Sequence, residues 1–419
     1  MKKIILITLA ASMIFFNACN KNETPNEQPE PVEPIEAPEP AKPIALTTKQ
    51  SEKVAGDNTF SFNLFRQVAT SDEKNNAFIS PLSVTMALGM LYNGTSPDAR
   101  AEMSEALGMN NFTDTEINEY YQTMSQALLK VDPLTALSIA NSIWSEKTYP
   151  VKQTFIDINK KYFDAEVQSL DFKLKSTLDA INNWCAQKTN NKIESILDGI
   201  PDDAVMYLIN AVYFKSKWQS QFDKKDTKKE DFTKEDGIRK QVEMMNQTAK
   251  LPYYEDEMLQ CLEMPYGNGA FGMVAILPAQ GTTVGDLVNY LDNDRWSDVI
   301  SNLTERNVIV KFPRFKIECE FSLAQPVQNL GMQLIFQSGG NLNGIADDPR
   351  LRVFEIKHKT FVEVNEEGTE AAAVTSIGID TTSYIPPAQF FANRPFLYLI
   401  KEKSTGAILF MGRMDEPKE

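Results

Sequence analysis

The chain begins with Lys2 and Lys3 and continues as an unbroken apolar run from Ile4 to Phe16. A bilayer span needs about 20 apolar residues, so a basic start with an apolar run this short reads as an export signal. Residues 22–44 are dominated by proline and glutamate, as in Pro29, Glu30, Pro31 and Glu33, Pro34. A stretch with so little to bury predicts an extended tether. Beyond it the pattern is that of one folded body, with no second break in composition and no internal repeat.

Within the body, helices lead. Ser80 followed by Pro81 is a cap and a first-turn proline, and Val84, Ala87, Leu88 and Leu91 supply an apolar face. Ser96 and Pro97 start a second helix, with Asp98 and Glu102 near its positive end and Gly108 as its stop. Strands then mix in. Ala204 to Phe214 is almost wholly apolar or β-favouring and predicts a strand covered on both faces. Similar runs occupy Phe271 to Leu277, Val308 to Phe315 and Val353 to Val364. A terminal hairpin is predicted from Phe396 to Ile400 and Ala407 to Met411, turned at Ser404, Thr405 and Gly406. These elements make an α+β protein with a sizeable sheet.

Acidic residues outnumber basic ones, 57 to 42, for a formal charge of −15. That balance argues against nucleic acid or an anionic lipid surface as a partner. The clustered Lys224, Lys225, Lys228 and Lys229 alternate with acids and read as a solvated face. Cys19 follows Ala18 at the end of the signal and resembles the acylated cysteine of a bacterial lipoprotein, although Phe16 departs from the usual leucine. The alternative is a plain secretory signal. Read as a lipoprotein, residues 1–18 are the signal peptide, 19–45 the lipidation site and tether, and 46–419 the body. The protein is then expected to be exported and anchored to the bacterial envelope. Cys185, Cys261 and Cys319 are an odd set without CxxC spacing, so neither a disulfide framework nor a zinc site is indicated.

Much catalytic chemistry is missing. His358 is the one histidine, which rules out two-histidine metal sites and an HExxH helix. No GxSxG elbow, Walker loop or GxGxxG follows a predicted strand. Neither an enzyme nor a cofactor or metal is expected.

The unusual segment is Glu366, Glu367, Gly368, Thr369, Glu370, Ala371, Ala372, Ala373, Val374, Thr375, running on to Tyr384 before Pro386 and Pro387. At a period of two, Thr369, Ala371, Ala373, Thr375, Ile377 and Ile379 share one side, small or apolar. The charges Glu370 and Asp380 fall on the other. Such a strand can enter a sheet, yet its small residues also let it stand as an exposed loop. By itself an alanine run after a glycine is more often a helix start or a linker.

Other motifs change that reading, because from about residue 55 to 415 the chain resembles a serpin. Asn76 to Ser83, NAFISPLS, is similar to the family's motif leading into its second helix, and Leu208 to Trp218, LINAVYFKSKW, to its strand under the upper sheet. Glu366 to Ala373, EEGTEAAA, resembles the loop hinge of inhibitory members. Phe391 to Phe396 with Leu409 to Arg413 resembles the C-terminal signature. The resemblance implies the serpin fold: a large central sheet, smaller sheets, packed helices and an exposed reactive-centre loop at about residues 366–390. It implies that Ser80, Ser83, Asn210 and His358 form the buried polar shutter under the sheet. Trp218 would mark the breach where the loop enters, and Glu366 would pair with Arg314.

The implied function is suicide inhibition of serine proteases by a monomer, with the cut loop inserting from Thr369. Spacing from Gly368 puts the cleaved bond at Thr382–Ser383, and spacing from Pro386 puts it one residue later. Thr382 suits elastase-like or subtilisin-like proteases, and cleavage after Tyr384 suits chymotrypsin-like ones. Cysteine proteases stay open as targets. With no Lys or Arg between Gly368 and Phe391, trypsin-like ones are disfavoured. The alternative is a non-inhibitory serpin-fold binding or surface protein, although such members usually carry bulky or charged hinge residues.

Overall fold

The computed structural model describes residues 39–71, 76–369 and 386–418. In chain order they form α1 (Thr48–Ser71), β1 (Ala77–Ile79), α2 (Pro81–Tyr92), α3 (Pro97–Ala106), α4 (Asp114–Leu128), β2 (Ala136–Glu146), α5 (Gln153–Phe163), β3 (Glu166–Leu170), α6 (Lys175–Lys188) and β4 (Met206–Lys217). Four strands follow, β5 (Lys228–Thr233), β6 (Arg239–Glu255), β7 (Leu259–Pro265) and β8 (Phe271–Pro278), then α7 (Val284–Tyr290) and α8 (Asn293–Ser301). The last third holds β9 (Thr304–Pro313), β10 (Phe315–Ser322), α9 (Ala324–Asn329), β11 (Lys357–Val364), β12 (Gly368–Thr369), β13 (Ala388–Phe391), β14 (Phe396–Glu402) and β15 (Ile408–Met414).

Local chemistry sets the early helices. Ser80 holds an extended backbone and its Oγ accepts from Ser83 N–H, while Ser96 does the same for Ala99. Gly108, at φ +63°, turns the chain just past the end of α3. One sheet runs β1-β15-β14-β8-β7-β6-β9-β13, with β5 beside β6. Every residue of β8, β14 and β15 is buried, as expected of strands covered on both faces. Two further pieces, β12-β4-β2-β3 and β10-β11, lie on either side of the site described below. Among the described residues no helix is long and apolar enough to cross a membrane.

Three expectations need correction. The apolar run at Val308–Phe315 is not one strand: β9 ends at Pro313, and the chain turns at Arg314, whose N–H donates to Glu243 O at 2.8 Å. Phe315 then starts β10 in another sheet. The run at Val353–Val364 becomes a strand only from Lys357, because Val353 N–H is spent on Ile335 O. The tether was expected to reach residue 45, but residues from Glu39 belong to the compact body, and Ala41 and Ile44 pack against its core.

Candidate functional site

Between β4 and β11 runs a cleft of about 1060 Å³. Residues 204–212 wall one side and 353–360 the other. The floor is α2, through Ser80, Ser83, Val84 and Leu88. Within the described residues β4 and β11 share no ladder, so each turns an unpaired strand edge to the cleft. A tight hairpin closes its upper end. Asn365 bridges Gly368, and Gly368 and Thr369 pair with Lys217 and Ser216 of β4.

The four polar residues expected at the shutter lie together at the floor, linked in one chain through the Ser83 N–H that donates to Ser80 Oγ at 3.2 Å. Ser80 N–H donates to His358 Nε2 at 2.9 Å, and Ser80 Oγ donates to Leu409 O at 2.8 Å. Ser83 Oγ donates to the carbonyl of Asn210 at 3.3 Å, and Asn210 Nδ2 donates to Asn141 Oδ1 at 2.7 Å. Since Nε2 accepts, the histidine proton sits on Nδ1. Burial depresses the His358 pKa to about 4, so the ring is neutral at pH 7. Asn210 Oδ1 is buried with no partner among the described residues, an acceptor left open at the cleft wall.

The upper end is built around Trp218. Its ring stacks on Tyr266 at 4.4 Å between centroids, and its Nε1–H donates to Asn365 O at 2.9 Å. Its backbone N–H donates to Glu367 O at 2.9 Å. Tyr266 in turn exchanges a hydrogen bond of 3.0 Å with Thr369 Oγ1, so the first strand residue after Gly368 faces the core. Gly368 sits at φ +140°, a region open to little but glycine. Glu366, buried, accepts from Thr227 Oγ1 at 2.8 Å, and Arg314 Nη1 approaches its carboxylate at 3.6 Å. Glu367 pairs with Lys224, and that contact raises the Lys224 pKa. Of the lysine cluster read as solvated, Lys224 is therefore also the partner of Glu367.

Glu370, Ala371, Ala372, Ala373, Thr382, Ser383, Tyr384 and Cys19 lie outside the described residues. Sequence reasoning missed Asn141, Thr227, Lys224 and Tyr266. Thr227 and Lys224 stand 139 and 143 positions from the acids they bind, and no local signal marks them. Cys185, Cys261 and Cys319 are buried free thiols, and burial pushes Cys185 up to about 12 and Cys319 to about 11. They are unreactive on that account.

The family model described as "Serpin (serine protease inhibitor)" matches residues 55–417. The chain belongs to the serpin family. Among curated relatives, this serpin is 34% identical to Iripin-2 of Ixodes ricinus over 88% of its own length and 94% of that protein's. It is 35% identical to the leukocyte elastase inhibitor of Sus scrofa over 87% and 100% of the two chains. Among solved structures it is similar to the thermophilic serpin tengpin in its native state, with TM-score 0.80 and 32% identity over 90% of this chain and 96% of that one. Human thyroxine-binding globulin complexed with thyroxine gives TM-score 0.81 at 25% identity, over 89% and 100%. The fold is thus the mixed α and β serpin fold, and membership assigns protease inhibition, with proteases as partners, and not catalysis.

Proposed function

We propose that this serpin is a suicide inhibitor of serine proteases that traps the acyl-enzyme by inserting its cut loop between β4 and β11. The observation that carries the reading is the hairpin at the top of the cleft. Gly368 and Thr369 already pair antiparallel with Lys217 and Ser216. Extending that register would set Ala371 opposite Phe214, Ala373 opposite Val212, Thr375 opposite Asn210, Ile377 opposite Leu208 and Ile379 opposite Met206. Thr369 faces the core, so these alternate residues would face it too, and they are the small and apolar side of the segment. The strand edge from Met206 to Ser216 offers roughly 36 Å of backbone at about 3.3 Å per residue.

In this mechanism the protease opens the bond at Thr382–Ser383 and is held as an ester on the new C-terminus. Insertion must outrun hydrolysis, and proteases commonly turn over at about 1–1000 per second. The insertion drags the enzyme along β4 and distorts its oxyanion site. Elastase-like or subtilisin-like enzymes fit Thr382, and cleavage after Tyr384 would bring in chymotrypsin-like ones. We further propose that the chain acts as a monomer held to the envelope by a lipid on Cys19.

The test is incubation with pancreatic elastase and denaturing gel electrophoresis. A protease-sized increase in mass that survives denaturation is expected, with mass spectrometry of the released peptide locating the cut. Clean proteolysis without a complex would favour the second reading, a binding protein on this scaffold, towards which the likeness to thyroxine-binding globulin points. For the anchor, metabolic labelling with palmitate should mark the wild type and spare Cys19→Ala.

A further inference from the structure

The chain enters the body along a strap that docks beside the hinge. Ala41 N–H donates to Asn268 O at 3.2 Å and Ile44 N–H to Ser404 Oγ at 2.9 Å, with Ala41, Ile44 and Leu46 half-buried against the core. The two turns that receive the strap are braced against each other and internally. Lys403 N–H donates to Ala270 O at 2.7 Å, and the Glu402 carboxylate accepts from the backbone of Ser404 and Thr405 at 2.9 and 2.8 Å. The Asn268 turn is also continuous with the top of the cleft, because Gly267 N–H donates to Lys217 O at 2.8 Å and Lys217 is the β4 partner of Gly368. Gly368, Lys217, Gly267–Asn268 and Ala41 are therefore successive neighbours. At roughly 5 Å per strand spacing, Ala41 lies within about 15 Å of the hinge.

The geometry points to a partner chosen by the anchor: the chain leaves the body at the pole where the bait loop begins, so the lipid-held serpin is placed against proteases bound to the same membrane. This rests on the lipidation and trapping readings above. From Cys19 to Glu39 the backbone reaches at most about 70 Å, at no more than about 3.6 Å per residue. A protease held within that radius meets the loop at an effective concentration on the order of 1 mM, an advantage that a protease in solution lacks. The far pole offers no such access. Leu170 pairs with Glu146 and Ser145 with Met206, so the Leu170–Lys173 turn lies at the start of β4, roughly 36 Å from Lys217.

The experiment compares two attachment points. The full chain with its own anchor is reconstituted into phosphatidylcholine vesicles. A full-chain Cys19→Ala variant carrying Lys173→Cys is coupled to a maleimide lipid through a polymer of matching length. The remaining cysteines are buried, so coupling goes to the new thiol. Gel-stable complex formation is timed with elastase either free or tethered to the same vesicles. We expect tethering to speed the native-anchored protein by about tenfold or more, with a clearly smaller gain for attachment at position 173. Equal gains at the two positions, or no gain for the native anchor, would overturn the proposal. Failure of palmitate labelling at Cys19 would overturn it through the anchor, and lack of a complex with free elastase through the trap, so the three failures are told apart.

Discussion

Gly368→Ala is the substitution whose cost the structure sets most directly. The residue sits at φ +140°, which carries a penalty of about 1–3 kcal/mol for any side chain. A Cβ built there would lie 2.3 Å from Ser216 O, 2.6 Å from Lys217 Cα and 2.7 Å from Trp218 N, all backbone atoms that no rotamer change can move. Position 368 must therefore leave β4. Two hydrogen bonds are expected to go with it, from Trp218 N–H to Glu367 O and between Thr369 and Tyr266, at about 0.5–1.5 kcal/mol each. The sum is a loss of about 2–6 kcal/mol in unfolding free energy, measured by urea denaturation. Trp218 fluorescence should change in the native state, since Tyr266, on which the indole stacks, loses its Thr369 partner. In protease assays the cleaved, uncomplexed form should rise, because insertion would lose its first paired residues. Stability within about 0.5 kcal/mol of wild type, together with unchanged complex formation, would refute the assignment of Gly368–Thr369 as the start of the inserted strand.

Other expectations follow from the same contacts. Thr369→Arg would put an unpaired charge where Tyr266 and the core now lie, at a cost of several kcal/mol; gel analysis should show a cleaved substrate in place of most of the complex. His358 is neutral when folded, with a pKa of about 4 against 6.5, so the unfolded chain binds its proton first as pH falls. Its contribution is level above about pH 6.5, is lost between 6.5 and 4, and totals about 3 kcal/mol; in His358→Gln the stability difference between pH 7 and pH 4 should shrink by that amount. Asn141→Ala would strip Asn210 Nδ2 of its acceptor, and a loss of about 1–3 kcal/mol is expected by denaturant titration.

What could be read in the sequence was whatever is local. Ser80 with Pro81 and Ser96 with Pro97 declare their helices because capping is settled within one turn. The uninterrupted apolar run from Phe271 to Leu277 declares β8 because a strand buried on both faces has no polar residue to spare. Less was visible where a residue's surroundings are assembled from distant chain. Nothing about Thr227 or Lys224 announces that they hold Glu366 and Glu367. Pro313, which cannot donate to a ladder, hinted at the break at Arg314, but Phe312 and Phe315 are both strand-compatible and only the change of sheet separates them. Ala41 and Ile44 looked like tether because two apolar residues among prolines carry no periodicity, and what fixes them is backbone hydrogen bonding to turns more than 200 residues away. The hinge stood out by composition and its neighbours by family resemblance, but the cleft did not, since it is a space between two strands that do not pair.

That space also explains why the proposed hinge lies where it does. Strand edges facing one another across a gap are costly, because their N–H and C=O groups remain open to pairing with any extended segment. Here α2 blocks access from below, and Ile193, Ile196 and Leu197 line the cleft on the side of the segment after α6. Among the described residues, the upper end is where a strand already pairs with the cleft edge of β4, through Gly368 and Thr369. A segment continuous with Thr369 can extend that pairing one residue at a time, each step satisfying groups on β4 and β11 together, whereas a segment from elsewhere would have to start unaided beside an occupied edge. Asn210 is a reporter: its Oδ1 has no donor among the described residues, and the extended register would set Thr375 opposite it. If filling the cleft supplies that donor, Asn210→Leu should narrow the difference in thermal stability between cut and uncut protein, and an unchanged difference would mean that the inserted strand does not follow this register.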